Sequence, residues 1–291
     1  MTMGTLRRGL VAVLLLFAVL QPQAVEPQEQ PRRIISLIPA VTEMLFAIGA
    51  GPQVVGVGSY DDFPAEVRTL PRVGALIDPD LERIIALKPD LVVVYATQSD
   101  LQKQLERAKI PIFRYQHAGL ADVNATIRQL GERIGRSSEA MKVTQHIDRA
   151  LDDIRQRTAN RPRPRTMLVF GRESLALRGI YASGGVGFLQ DMLDVAGGDN
   201  VFADVKRQSV QATAELVLAR QPDVILELRG TPITAEMRTK ELLVWQALSA
   251  VPAVKSGRIV FIADQRAVVP GPRVAEGTEL LARALHPEAF K

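Results

Sequence analysis

One stretch of the chain occurs twice, once in each half. Residues 81–94 read LERIIALKPDLVVV and residues 214–227 read AELVLARQPDVILE. The identical residues stand at one constant offset: Glu82 and Glu215, Ala86 and Ala219, Pro89 and Pro222, Asp90 and Asp223. Each copy predicts a short helix that ends before the proline, because proline disfavours the helical conformation in the residue before it. The apolar run after Pro-Asp is typical of a strand buried on both faces. The repeat therefore predicts two similar α/β lobes with a cleft between them.

Composition excludes several classes of site. The chain has 291 residues, enough for two domains with separate cores, and a net charge of +4. No run of lysine and arginine is long enough to indicate a nucleic-acid surface. Cysteine is absent, which excludes disulfides, thiolate metal sites and cysteine nucleophiles.

The N-terminus has the pattern of an export signal. Arg7 and Arg8 precede an apolar segment, residues 10–20, that is too short to span a bilayer. We predict a signal peptide over residues 1–24 that is cleaved after Ala24; an uncleaved anchor is the alternative. Without a cysteine the chain cannot be a lipoprotein, so we expect a soluble periplasmic protein. Residues 25–32 are polar and contain proline, and they predict a flexible leader.

Strands that alternate with helices predict an α/β fold with mostly parallel sheets. We expect an N-terminal lobe over residues 33–136 and a C-terminal lobe over residues 161–291. Between them, residues 137–160 predict one long helix, because apolar residues recur at helical spacing and no glycine or proline interrupts Ser137 to Thr158. Such a helix predicts a rigid connector rather than a wide hinge.

Five stretches, in this order, resemble periplasmic substrate-binding proteins of ABC importers for metal chelates, the type with a rigid helical backbone. They are RIISLIPAVTE at 33–43, VGVGSYDDFP at 55–64, the first repeat copy at 81–94, AGGDNVF at 196–202 and the second repeat copy at 215–227. The resemblance spans residues 33–287 and implies two α/β lobes that hold a ligand between them. It is closest to cobalamin-binding members. Haem and ferric siderophores stay open, because Ser209 stands where those members suggest a tryptophan.

The resemblance also implies partners. It implies a monomer that is not an enzyme, that has no cofactor or metal site of its own, and that binds its chelate without chemistry. The expected partners are an ABC permease dimer with its ATPase, and the chain would meet the membrane only through that permease. No nucleic-acid partner is expected.

Five side chains are candidate ligand contacts. Tyr60 and Tyr95 follow predicted strands, and ligands of open α/β sheets bind beyond the carboxyl ends of strands. Either ring could stack on a flat macrocycle, or could instead cap the core with its hydroxyl in water. Arg172, Arg229 and Arg273 would make the cleft cationic and suit an anionic chelate through charge-assisted hydrogen bonds. The alternative for each is an ordinary surface arginine.

Glu82 and Glu215 are the candidate docking residues. In the family that the chain resembles, one glutamate on each lobe binds arginines of the permease, and these two occupy equivalent places in the repeat. Opposite charges across an interface set its register and on-rate. The alternative is that each carboxylate only complements the dipole of its own helix.

Two other classes of function remain alternatives. A periplasmic enzyme or chelatase could use the same cleft, but His117, His146 and His286 are scattered and Ser183 lies outside a G-x-S-x-G motif. A sensory binding module would share the fold, and the neighbouring genes would distinguish it from an uptake protein.

Overall fold

The computed structural model describes residues 30–291, of which Pro31–Lys291 form one compact unit. The predicted signal peptide and most of the predicted leader lie outside the described residues. Pro31 is buried, and its carbonyl accepts a hydrogen bond of 2.7 Å from the side-chain amide of Gln53. The backbone N–H of Arg32 donates to the Asp90 carboxylate at 2.8 Å. The end of the predicted leader is therefore part of the fold rather than a flexible segment.

The N-terminal lobe is a parallel sheet of four strands with the order β2-β1-β3-β4. The strands are β1 Ile34–Ser36, β2 Val54–Val57, β3 Leu91–Tyr95 and β4 Ile112–Tyr115. Its helices are α1 Pro39–Ala47, α2 Leu81–Ala86, α3 Ser99–Arg107 and α4 Leu120–Arg133. The two central strands, β1 and β3, are almost fully buried, as expected for a sheet with helices on its faces, whereas the edge strand β4 is more exposed.

The connecting helix is α5, Ser137–Thr158, which begins at the predicted residue and ends two residues before the predicted boundary at 160. Its buried face includes Ala140, Ile147, Leu151 and Ile154, and it packs against α4 on one side and the last helix of the chain on the other. One apolar cluster runs through both lobes and includes this buried face. Because the lobes share a core with the connector, the expectation of a rigid connector agrees with the packing. The exact lobe boundaries remain a proposal.

The C-terminal lobe has a larger, mixed sheet with the order β10-β9-β5-β6-β8, and β7 pairs with β5. Its strands are β5 Arg165–Gly171, β6 Ile180–Ser183, β7 Asp199–Asn200, β8 Ser209–Ala212, β9 Val224–Arg229 and β10 Ile259–Ala263. Its helices are α6 Phe188–Val195, α7 Ala214–Arg220, α8 Ala235–Trp245, α9 Pro252–Lys255 and α10 Val274–Leu285. The strands β6 and β8 pair antiparallel, so this sheet is less uniformly parallel than predicted.

The two repeat copies occupy equivalent places in the two sheets. In one lobe β3 lies between β1 and β4, and in the other β9 lies between β5 and β10. The repeated aspartates make the same contact, because the carboxylate of each accepts a backbone N–H at the start of the neighbouring strand. The carboxylate of Asp90 accepts from the backbone N–H of Arg33 at 2.8 Å, and that of Asp223 accepts from the backbone N–H of Arg165 at 3.3 Å.

The helices of both copies also end in the same way. Lys88 and Gln221, which precede the prolines, have φ values of 49° and 46°. This left-handed conformation is uncommon for residues with a side chain, and it turns the chain out of the helix. The prediction of two similar α/β lobes is confirmed. Within residues 30–291, no helix is both long enough and apolar enough to cross a membrane.

Candidate ligand-binding cleft

A cavity of about 340 Å³ lies between the lobes. His117, which follows β4, contributes from the N-terminal lobe, and Phe170, near the end of β5, contributes from the C-terminal lobe. Phe188, Ser209 and Val268 are also among the lining residues. The cavity is therefore at the carboxyl ends of parallel strands, where ligands of open α/β sheets bind.

An aromatic cluster connects Tyr95 to this cavity. The Tyr95 hydroxyl lies 3.2 Å from Nδ1 of His117, and the two rings meet edge to face. The rings of Tyr115 and His117 stack with centroids 5.5 Å apart, and the ring of His117 meets that of Phe188 at 5.8 Å. The last contact crosses from one lobe to the other, so aromatic groups form both walls of this part of the cleft.

Burial keeps this wall uncharged. Burial lowers the pKa of His117, although the nearby Asp122 carboxylate opposes the shift. Burial also raises the pKa values of the Tyr95 and Tyr115 hydroxyls. At neutral pH these groups are a neutral imidazole and two neutral phenols. The wall can stack on a flat ligand and exchange hydrogen bonds with it, but it carries no charge.

Two of the predicted arginines are occupied by carboxylates of their own lobe. Arg172 contacts Glu227 at 3.0 Å and Glu241 at 2.5 Å, and Arg229 contacts the same two carboxylates at 2.6 and 3.0 Å. Trp245 donates its indole N–H to Glu227 at 3.2 Å. Burial alone would raise the pKa of Glu241, but hydrogen bonds from both arginines bring it below its usual value.

This network changes the interpretation of Arg172. Its side chain is only 1% exposed, against 24% for Arg229. A side chain with so little accessible surface cannot touch a ligand in this conformation, so the structure does not place Arg172 where the prediction of ligand contact requires it. Arg229 keeps some accessible surface, but its charge is already balanced.

Arg273 joins the two lobes. Its guanidinium binds the Glu43 carboxylate through two hydrogen bonds, Nε to Oε2 at 2.9 Å and Nη2 to Oε1 at 2.6 Å. The Glu43 side chain, on α1, is 4% exposed and that of Arg273 is 19% exposed. The guanidinium also lies over the ring of Phe63, 3.7 Å from its centroid. Arg273 therefore acts first as an interlobe contact.

A second polar contact crosses between the lobes on another side. The carboxylate of Asp191, on α6, accepts the backbone N–H of Leu120 at the start of α4 at 2.8 Å. Burial raises the pKa of Asp191, and the bond to Leu120 opposes that shift. A carboxylate is favourable at a helix N-terminus because it meets unpaired N–H groups there. The lobes are thus joined by side-chain contacts as well as by the connecting helix.

The loop after β2 carries an exposed and a buried residue of interest. Tyr60 is 75% exposed, so it is accessible to a ligand but has no packed environment. Asp61 beside it is 1% exposed, and neither carboxylate oxygen has a hydrogen-bond partner. Burial raises the pKa of Asp61 to about 6, and the nearby Thr42 and Arg72 limit the shift.

Glu82 and Glu215 take matching positions outside the cleft. Both are exposed and lie in the first turn of their helices, α2 and α7. Asp80 caps α2 by accepting the N–H of Arg83 at 2.9 Å, and Thr213 caps α7 through Leu216 at 3.2 Å. Hydrogen bonds from its own backbone N–H and from Thr213 lower the pKa of Glu215.

Most of the residues that line the cavity are not evident from the sequence. His117 stands in the sequence only as one of three scattered histidines, and no motif points to Phe170 or Phe188. The strand-end rule that selected Tyr95 applies equally to His117, since β3 and β4 are neighbours and Tyr95 pairs with Tyr115 in register. Within residues 30–291, no group of three or more His, Asp or Glu side chains is arranged to hold a metal ion.

Comparisons with known proteins agree with this geometry. A family model described as periplasmic binding protein matches residues 34–266. An uncharacterised ABC transporter substrate-binding lipoprotein of Bacillus subtilis is 31% identical over 274 residues, which cover 92% of this chain and 84% of that protein. A vitamin B12-binding protein of Yersinia pseudotuberculosis is 30% identical over 223 residues, 76% of each chain.

Two solved structures are similar throughout. The periplasmic vitamin B12-binding protein of Vibrio cholerae has a TM-score of 0.75 at 25% identity, covering 90% of this chain and 98% of its own. A periplasmic haem-binding protein of Pseudomonas aeruginosa also has a TM-score of 0.75, at 24% identity, covering 88% of this chain and 93% of its own. At that identity the second likeness concerns the fold alone.

Proposed function

The chain belongs to the periplasmic binding protein family, and from that premise we propose that it captures a corrinoid-type metal chelate between its lobes and delivers it to an ABC importer. Members of this family are substrate-binding components of such transporters, and the similar proteins of stated function are binding proteins rather than enzymes. The permease, its ATPase and the choice of chelate are part of the proposal.

One observation carries the choice of chelate: each predicted cleft arginine is balanced by a buried carboxylate. Arg172 and Arg229 share Glu227 and Glu241, and Arg273 binds Glu43. A cation that already has a hydrogen-bonded partner gains little from a second anion, because the new contact must compete with the existing one. The cleft therefore favours a ligand without a net negative charge, and this supports a corrinoid, which is neutral overall, over an anionic siderophore.

The aromatic wall supports a flat, amphipathic ligand. Phe170 and Phe188 offer apolar faces to the cavity, while His117 and Ser209 offer groups that can exchange hydrogen bonds. Predominantly apolar cavities with a few polar groups are the usual form of a small-molecule site. A corrin ring with neutral amide side chains matches both kinds of group. Contact of the chelate with Tyr60 remains part of the proposal, and its support is that the ring is 75% exposed.

Haem is the second candidate, and one observation favours it. Phenol and imidazole groups are both known ligands of haem iron, and Tyr95 and His117 lie within 3.2 Å of each other next to the cavity. Haem and a corrinoid would use His117 in different ways, haem as a possible iron ligand and a corrinoid as a packing surface. Replacing an iron ligand would change the spectrum of bound haem, whereas a corrinoid that only packs on the imidazole would keep its own spectrum.

The ligand is tested by isothermal titration of the purified protein with cyanocobalamin, haemin and a ferric tris-catecholate. We expect cyanocobalamin to bind at micromolar concentration or below and the tris-catecholate not to bind. Phe188→Ala should weaken corrinoid binding by roughly tenfold, because it removes a stacking surface. Leu243→Ala, an exposed residue of α8, is the matched control. Absence of binding by cyanocobalamin in the wild type would refute the proposal.

We also propose that Glu82 and Glu215 dock the protein to the permease in the periplasm. The support is their equal placement: each is an exposed carboxylate in the first turn of the repeat helix of its lobe. The relative in Bacillus subtilis is a lipoprotein by its description, but this sequence has no cysteine that could carry the lipid. Delivery by a freely diffusing protein agrees with the expected export signal.

A further inference from the structure

We propose that the turn formed by residues 74–79 is an apolar contact for the permease, and that it makes the two lobes dock by different means. The inference rests on the proposed function, because it assumes that Glu82 faces the permease. The turn leads directly into α2, which carries Glu82 in its first turn. The proposed occupant is an apolar, periplasm-facing surface of one permease subunit.

The tip of this turn consists of two large aliphatic residues. Ala75 and Asp78 exchange both backbone hydrogen bonds, at 3.0 and 3.2 Å, which places Leu76 and Ile77 at the tip of a tight turn. Ile77 is 93% exposed and Leu76 is 40% exposed. Such positions usually hold glycine, asparagine, aspartate or proline, each for a conformational reason. Leucine and isoleucine offer no such advantage, so their exposure has no local explanation.

The turn is also held in place. The side-chain amide of Gln98 donates to the Leu76 carbonyl at 2.6 Å, and the backbone N–H of Ser59 donates to the Gly74 carbonyl at 2.8 Å. Gly74 has a φ of 88°, and a side chain there would collide with the backbone of Asp78. An apolar tip that is already ordered loses little conformational entropy when a partner covers it. The arrangement is therefore that of a rigid contact rather than a loose loop.

The apolar tip is continuous with the surface around Glu82. Leu76 and Ile77 line one surface depression together with Leu81, the first residue of α2, and its other side is formed by the mostly polar residues 97–101 and Gln104. Ile85 is 44% exposed and lies one helical turn after Glu82, on the same face of α2. A carboxylate flanked by apolar side chains fits a partner cation that is itself set in an apolar surface. The charge would fix the position of the partner, and the apolar groups would slow its release.

The C-terminal lobe is built differently at the corresponding place. The residue at the same repeat offset from Ile77 is Val210, which lies in β8, pairs with Ala182 of β6 and is partly buried. The segment before α7 is thus a sheet strand rather than a turn with an apolar tip. Among residues 30–291 the two lobes therefore share the docking carboxylate but not the apolar contact.

This inference is tested by measuring how tightly the protein binds the importer in nanodiscs. Surface plasmon resonance gives the affinity and the release rate at a series of salt concentrations. The probe is the ABC permease–ATPase complex of the same organism. The variants are Leu76→Ser with Ile77→Ser, Glu82→Gln, and Glu215→Gln, with Leu243→Ser as the control because that residue is 65% exposed on α8. Circular dichroism and chelate titration verify that each variant is folded and binds its ligand.

We expect the double serine variant to bind the importer roughly ten- to hundredfold more weakly, chiefly through faster release, with the salt dependence unchanged. Each glutamine variant should instead reduce the salt dependence, because it removes a screened charge contact. If the double serine variant binds the importer with an affinity within twofold of the wild type, while the glutamine variants bind more weakly, only the apolar contact is refuted. If both glutamine variants bind the importer as tightly as the wild type does, the docking role of Glu82 and Glu215 is wrong. The apolar contact, which depends on that role, is then wrong as well.

Discussion

Arg273→Met is expected to destabilise the protein, because it leaves a buried carboxylate without a partner. The Glu43 side chain is 4% exposed and receives two hydrogen bonds from Arg273. Removing one member of a buried ion pair typically costs about 3–5 kcal/mol. Since Arg273 itself is 19% exposed and water can partly replace it, we expect the lower end, about 3 kcal/mol. Methionine keeps an apolar stem over the ring of Phe63, so the change isolates the charge.

For a domain of this size about 3 kcal/mol corresponds to a fall in Tm of roughly 6–12 °C. Thermal unfolding followed by circular dichroism measures it for Arg273→Met, Glu43→Gln and the double variant. The double variant should be less destabilised than the sum of the singles, because it removes both charges and leaves neither of them unpaired. Glu236→Gln is the control: it breaks an exposed pair with Lys240 and should change stability by less than about 0.5 kcal/mol. A Tm of Arg273→Met within about 2 °C of the wild type would show that the buried Glu43 carboxylate does not depend on Arg273 for the stability of the fold.

Three further outcomes are expected. The stability that protonated Asp61 contributes should be lost as the pH rises from 3.8 to about 6, because the unfolded chain ionises this carboxyl first, so Asp61→Asn should gain stability relative to the wild type over that range in urea titrations at each pH; a difference between the two proteins that does not change with pH would contradict this. Glu82→Arg combined with Glu215→Arg should abolish chelate uptake by cells and preserve chelate binding by the purified protein; normal uptake would exclude the docking role. Gly185→Ala should destabilise the protein by about 1–3 kcal/mol, because the added methyl group would meet the carbonyl of Ala203; an unchanged urea midpoint would contradict this.

The parts of the fold that follow from local patterns were predictable. The connecting helix, Ser137–Thr158, lies where residues 137–160 predict it, because its apolar period is uninterrupted by glycine or proline. The strands of the two repeat copies are predictable from their apolar, mostly β-branched runs. Such residues favour strands, and the observed strands are buried. By contrast, β6 and β8 are four-residue strands with partly exposed side chains, and their antiparallel pairing depends on residues distant in the sequence.

The charge state of the cleft was not predictable from the sequence. Arg172, Arg229 and Arg273 each follow the expected pattern of a strand-end or loop cation. Their carboxylate partners are 55 residues away for Arg172 and Glu227 and 230 residues away for Arg273 and Glu43. No spacing rule reaches that far, so only the packed lobes bring these two pairs together. Arg229 is different, because Glu227 stands two residues before it on the same face of β9, and the alternation of a strand could have indicated that pair. A cleft that the sequence suggested to be cationic is therefore balanced by buried glutamates.

We propose that the cleft selects a neutral, corrinoid-type chelate over an anionic one. This selectivity is tested by the visible absorption spectrum of the protein after equilibration with equimolar cyanocobalamin and haemin and removal of free ligand. We expect corrin bands from the bound ligand and no haem Soret band. A Soret band in place of the corrin bands, or a protein that retains neither ligand, would contradict it.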